Sequence, residues 1–184
     1  MSPISEPAKI KEMKNEALLS LSKDELIDLI EMYSKNWSAM DGVWFQSVEQ
    51  KLGMDEAMYH DCEAWKRYTV IEARRIKAFL GLTEHPGIEG LKKALHFRFY
   101  AHLNDNEYIN EDESMLVYRC KKCRVQAARL RKGLELHPCK TAAVFEYAGF
   151  AATIDSRITC ECVSCYPDVT DEQCSCAWRF RLDR

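Results

Sequence analysis

The stretch from Arg157 to Arg184 holds five of the chain's nine cysteines: Cys160, Cys162, Cys165, Cys174 and Cys176. Cys160 and Cys162 alternate with Thr159, Glu161 and Val163, and a period of two puts both on one face of a strand. Cys174 and Cys176 alternate with Ser175 and Ala177 in the same way. Tyr166-Pro167-Asp168 between them cannot continue a ladder and reads as a turn. The spacing predicts a β-hairpin with thiols on both arms. Two C-x-x-C pairs, Cys120 with Cys123 and Cys162 with Cys165, have the spacing at which two thiolates bite one tetrahedral ion. Cys139 stands at a predicted helix start, where the macrodipole favours a thiolate, and Lys121, Lys122, Arg124 and Lys140 add positive charge. Soft sulfur ligands suit zinc or an iron–sulfur cluster and not magnesium or calcium. The chemistry expected of the cluster is therefore metal or redox chemistry. Cys62, between Met58 and Trp65 on a helical stripe, instead reads as a small apolar core residue.

Other residues could join that chemistry. Trp37, Asp41 and Trp44 share a helix face at i, i+4 and i+7, and Asp61, Trp65 and Glu72 do much the same on the next helix. If both faces meet one cavity, it has aromatic walls and three carboxylates. Such a cavity suits a cationic or amidine-bearing ligand, with Glu72 as general base. The competing reading, which aromatic stripes favour, is that the tryptophans are core and Asp41 a surface group. His137, beside Pro138-Cys139, is a candidate ligand, or a base for the Cys139 thiol. Arg119–Lys132 carries seven basic residues and no acidic one. It reads as a solvated helix face or an anion site near Cys123.

The elements that must position these groups follow from periodicity. Residues 1–21 read as a charged arm with a short helix near Ile10–Leu19, and residues 22–184 as one domain, closed by the cysteine hairpin at 157–184. Ser22-Lys23-Asp24-Glu25 is a capping-box pattern. The helix behind it is expected to bury Leu26, Leu29, Ile30, Tyr33, Trp37, Met40 and Trp44, and to end near Gly53. A second helix runs from about Asp55 to Leu80 with a stripe from Met58 to Phe79, and a short helix covers Ile88–Leu95. Leu95–Ala101 alternates as a strand, Asn104–Asp112 reads as a turn, and Met115–Arg119 as the return strand. A helix from Cys120 to Gly133 turns Val125, Ala128 and Arg129 inward. A last one, Cys139–Ile154, buries Ala143, Val144, Tyr147, Phe150 and Ala151. The fold class is α+β: long N-terminal helices, then two β-hairpins in one antiparallel sheet, with a helix pair between the hairpins. A chain of 184 residues is long enough for a real core. No apolar run suits a membrane helix and no secretory h-region is present, so a cytoplasmic protein is expected. Thiols there are normally reduced, and nine cysteines read as metal or redox groups rather than a disulfide scaffold. A formal charge of −3 implies no nucleic-acid partner.

The segments NWSAMDGVWFQSVE, CRVQAARLRKG, HPCKTAAVFEYAGFAATID and ECVSCYPD…CAWRF resemble an uncharacterised prokaryotic family of cytosolic proteins related to the L-2-amino-thiazoline-4-carboxylic acid hydrolases. From about Gly133 onward the chain is more distantly similar to the 4-vinyl reductase domain, of the transport-protein-particle group. The resemblance implies that fold, a small-molecule pocket and room for a homodimer. It singles out Cys123, Cys139, Cys162, Cys165 and Cys176 as metal ligands. Trp178 stands where phenylalanine is usual, and Cys120, Cys160 and Cys174 are additional thiols. The first expectation is a cysteine-ligated metal-binding domain, zinc or iron–sulfur, with an adjoining small-molecule pocket. The second is a hydrolase of a small cyclic C–N bond, working through a metal-bound water or Cys139. The third is an interaction module with a structural metal.

Overall fold

The computed structural model describes residues 15–183. Residues 1–14 of the expected arm lie outside the described residues, and the remainder forms one helical turn, α1 (Glu16–Leu19). The expected capping box is present. The Ser22 hydroxyl accepts from the Glu25 N–H and the Glu25 carboxylate accepts from the Ser22 N–H, starting α2 (Lys23–Leu52). Gly53, at φ +92°, turns the chain into α3 (Met54–Phe79). After α4 (Gly87–Leu95) come a 3₁₀ turn (Phe99–His102), β1 (Asp105–Asp112), β2 (Met115–Lys122), α5 (Arg124–Arg131), α6 (Lys140–Ile154), β3 (Ile158–Cys165) and β4 (Cys176–Leu182). The strands make one antiparallel sheet in the order β1-β2-β4-β3. The α+β architecture with a helix pair between two hairpins is therefore present. Among the described residues no helix is long and apolar enough to cross a membrane.

The sheet has one apolar face. Leu116, Tyr118 and Cys120 of β2 stand opposite Phe180, Trp178 and Cys176 of β4, which stand opposite Cys160, Cys162 and Cys165 of β3. A β-bulge between Cys162 and Ser164 makes that alignment. Without the inserted residue, strand parity would put Cys165 on the opposite face from Cys160 and Cys162. α6 lies on this face, with Tyr147 stacked on Trp178 at 4.7 Å and Phe150 fully buried. α3 packs on α6 from the far side, and the Thr69 hydroxyl donates to the Glu146 carbonyl at 2.7 Å. α2 lies outermost, against α3.

Three expectations for these elements are corrected. Leu95–Ala101 is not a strand: α4 ends at Leu95, a turn carries Arg98 inward, and the first hairpin strand is Asp105–Asp112, where a turn was expected. That strand is acidic because it is the sheet edge, where charged side chains disfavour pairing with another chain. Second, α2 buries only Ser34 and Phe45, while Ile30, Tyr33, Trp37, Met40 and Trp44 are exposed. A helix with one main neighbour buries a narrow stripe, and this one is turned toward Phe45. Phe79 and Val144 are likewise exposed. Third, Cys174 lies in the loop before β4 rather than on the strand.

The α3–α6 contact is close enough to be tested through Gly149. A Cβ there would lie 2.7 Å from Thr69 Cγ2. In an open helix Gly→Ala stabilises by roughly 0.5–1 kcal/mol, but overpacking a core costs about 1–3 kcal/mol. Gly149→Ala is expected to lower stability in urea unfolding. The pair Gly149→Ala with Thr69→Ser, which removes the obstructing methyl and keeps the hydroxyl, is expected to recover most of the loss.

Candidate functional site

The end of the sheet that carries the cysteine row opens on a cavity of about 320 Å³. α2 contributes Asp41 and Phe45, α3 contributes Asp61 and Trp65, and Tyr100 comes from the 3₁₀ turn. The opposite wall is made by Cys120, Cys123, Cys139, Cys165 and Cys176, with Gln126, His137 and Glu146. This is the size range of ordinary small-molecule sites.

The thiols form a chain rather than a ring. Cys120, Cys176 and Cys165 occupy one row across β2, β4 and β3. Cys123 is the N-cap of α5 and Cys139 the N-cap of α6. The Cys123 and Cys176 sulfurs beside the Cys120 thiol push its pKa up, and burial adds to that. Cys176 accepts from Cys120, but donation to Cys165 and burial outweigh this and push it up to about 12. Cys165 in turn donates to Cys139, which with burial raises its pKa against the hydrogen bond from Cys176. Cys139 also accepts from the Gln126 amide at 2.9 Å. Cys123 is the acidified end. The hydrogen bond from Cys120 holds it at about 7 against the effect of burial, helped by the backbone N–H groups of Gln126 and Val125. A helix N-terminus pointing its free N–H groups at a sulfur is what lowers a thiol pKa.

This arrangement overturns the metal site expected at Cys123, Cys139, Cys162, Cys165 and Cys176. Among the described residues no group of three or more His, Cys, Asp or Glu is placed to hold one metal ion. The reason is sheet geometry. Cys165 and Cys176 sit on neighbouring strands, whose backbones are about 4.8 Å apart, while Cys123 and Cys139 come from the starts of two different helices. Four thiolates on one zinc must lie within ~4 Å of each other. Cys162 is further removed, since it pairs with Trp178, two residues along β4 from Cys176. The reading as a cysteine-ligated metal-binding domain falls with that site, and so do the metal-bound water and the structural metal of the other two readings.

The other predicted residues divide. Asp41, Asp61 and Trp65 do share the cavity, while Trp37 stacks on Tyr68 at 5.7 Å and Trp44 lies edge-on to His60 at 5.9 Å, both outside it. His137 Nε2 is 3.3 Å from Asp61 Oδ2, and its ring packs on Phe45 at 4.6 Å. Asp41 sits at the rim; crowding by protein, then the like charge of Asp61, push its pKa up to about 6 against the pull of His137. Its side chain is still open to solvent. Arg124 is an exposed rim residue whose N–H is held by Asn104 at 3.0 Å. Cys62 is core, as expected.

Glu72 is not a free base. Arg98, 3% exposed, places Nε 2.9 Å from Glu72 and Nη2 2.8 Å from Glu146, with its guanidinium over the rings of Phe150, Tyr147 and Trp65. The Glu146 contact lacks hydrogen-bond alignment, so it is an electrostatic contact only. One cation between two buried carboxyls cannot neutralise both. Burial pushes Glu146 up to about 8, with Arg98 opposing and the Glu72 charge adding. Glu146, Tyr100, Gln126 and Arg98 went unrecognised as site residues. The signal for Glu146 was the one that marked Glu72: a lone carboxylate within an apolar helical run, TAAVFEYAGF.

A protonated Glu146 and a Glu72 that accepts the Arg98 Nε–H make different demands on a mutant. Glu72→Gln leaves Arg98 uncompensated and is expected to cost about 3–5 kcal/mol, whereas Glu146→Gln mimics the protonated side chain and is expected to cost about 1 kcal/mol or less at neutral pH. From its ordinary value of 4.5 up to about 8, the unfolded chain ionises at Glu146 while the folded chain keeps the proton. Stability therefore falls as pH rises through that window, and Glu146→Gln should flatten the slope in denaturation curves taken from pH 5 to 8.

No curated protein and no solved structure matches this chain. The model of one family, described as a family of unknown function (DUF6125), matches residues 18–182, a span that takes in every element from α2 to β4 and both walls of the cavity. The chain belongs to that family.

Proposed function

We propose that the cavity binds a small cationic molecule of the amidine or ammonium class. The observation that carries this is the pair Asp41 and Asp61, both lining the cavity, with a single imidazole, His137, paired to Asp61. Two carboxylates facing one titratable ring leave negative charge to be met. Trp65 and Tyr100, stacked at 5.9 Å, supply an aromatic wall on which a flat cation can lie. Asp61, buried in the wall, attracts a cation more strongly than a surface carboxylate does. The order of a helix pair between two hairpins supports the kinship with 4-vinyl reductase-like domains carried by the cysteine segments. Nine free thiols support a reducing compartment such as the cytoplasm.

Benzamidine is the test ligand. It is expected to raise the melting temperature of the protein at pH 7.5 in proportion to the logarithm of its concentration. Asp61→Asn is expected to remove at least tenfold in affinity. The effect should weaken as pH falls through about 6, where Asp41 takes up its proton and loses its charge. Equal shifts in wild type and Asp61→Asn, or none with either benzamidine or a simple alkylammonium, would overturn the reading.

A further inference from the structure

We propose that Cys120 and Cys123 form a dithiol–disulfide centre that exchanges with a small disulfide admitted to the cavity. The proposal rests on the reading that the cavity takes small molecules, but not on the charge of what it binds. Three observations carry it. The two sulfurs belong to one C-x-x-C pair, at the junction where β2 passes into α5, and both residues line the cavity. They differ in exposure as an attacking and a resolving thiol must: Cys123 is half-buried at the cavity wall, and Cys120 is 1% exposed behind it. Cys123 is the N-cap of α5, so its sulfur stands at the positive end of that helix, which favours a thiolate where a ligand would meet it. Exposed Lys121, Lys122 and Arg124 surround this junction with positive charge.

The chemistry balances without an outside reagent. The Cys123 thiolate attacks one sulfur of a disulfide RSSR, the S–S bond breaks, and RS⁻ leaves, giving a mixed disulfide. The Cys120 sulfur then attacks Cys123 Sγ. The second thiolate leaves and takes the Cys120 proton as RSH, and the Cys120–Cys123 bond closes. Two electrons pass from the dithiol to RSSR, whose two halves depart as RS⁻ and RSH. Cys62, buried in the second core cluster, and Cys174, in the loop before β4, stand outside the thiol chain and have no part in the step.

The test uses the full chain, reduced, freed of reductant and treated with bis(2-hydroxyethyl) disulfide. Peptide mapping by mass spectrometry is expected to find a Cys120–Cys123 bridge, two hydrogens lighter than the dithiol. Its rate of formation should rise with pH to a plateau above about 7, following ionisation of Cys123. Cys120→Ala is expected to stop at the mixed disulfide on Cys123, and Cys123→Ser to give neither product. Cys174→Ser should behave as wild type. Iodoacetamide labelling of the wild type provides a readout that needs no variant, with Cys123 expected to react at least tenfold faster than Cys62. The proposal is overturned if the wild type is modified first at other cysteines with no 120–123 bridge, or if Cys123 is labelled no faster than Cys62. The benzamidine shift, read on the same preparations, reports separately on the carboxylate wall.

Discussion

A guanidinium with almost no contact with water sits at the centre of this fold. Taking a charge of that kind out of solvent is costly, and only matched charges and aromatic faces can offset it. Arg98 receives one carboxylate from α3 and one from α6, and three rings stack around it. Its position is therefore a constraint on everything nearby. The chain must leave helix α4 in time to aim Arg98 inward, which explains why residues that alternate like a strand instead make a tight turn. α3 and α6 must keep Glu72 and Glu146 on facing sides, and the closeness of Gly149 to Thr69 allows it. The cavity lies just beyond: Trp65 and Glu146 touch Arg98 and line the cavity as well.

A second constraint is one of parity. In a regular strand Cys160, Cys162 and Ser164 would share the core face, and Cys165 would face away. The bulge before Ser164 exchanges the two, so Ser164 turns to cap the Thr170 and Asp171 N–H groups while Cys165 joins the row with Cys176 and Cys120. One inserted residue thus decides whether there is a row of thiols or a pair. The row then meets two helix N-caps, Cys123 and Cys139, because α5 and α6 both begin at that edge of the sheet.

Much of this was legible in the residues. The Ser22 capping box, the glycine stop at Gly53, the C-terminal cysteine hairpin and the core role of Cys62 follow from local chemistry, and local chemistry prevailed. Asp41, Asp61 and Trp65 were also found, because helical spacing is a local property. What failed was what depends on neighbours. The width of the buried stripe on α2 is set by how many elements cover it, and spacing alone does not reveal that Trp37 and Trp44 face outward. The role of Glu72 depends on Arg98, twenty-six residues away and hidden in a segment with a strand-like pattern. The metal reading of the cysteines failed for a geometric reason. C-x-x-C spacing says that two sulfurs can approach one point, but the sheet distributes the other partners along a line.

Both walls of the cavity act on Tyr100. Its phenol is pushed well above its ordinary range, first by burial, then by the charges of Asp41, Glu146, Cys123 and Asp61. A group that feels both carboxylates of one wall and the acidified thiol of the other stands between them, and it must remain a neutral O–H donor. Each negative charge nearby makes the phenolate harder to form, so Tyr100 keeps its proton and adds no charge of its own to a cavity that already holds acidic groups on both walls.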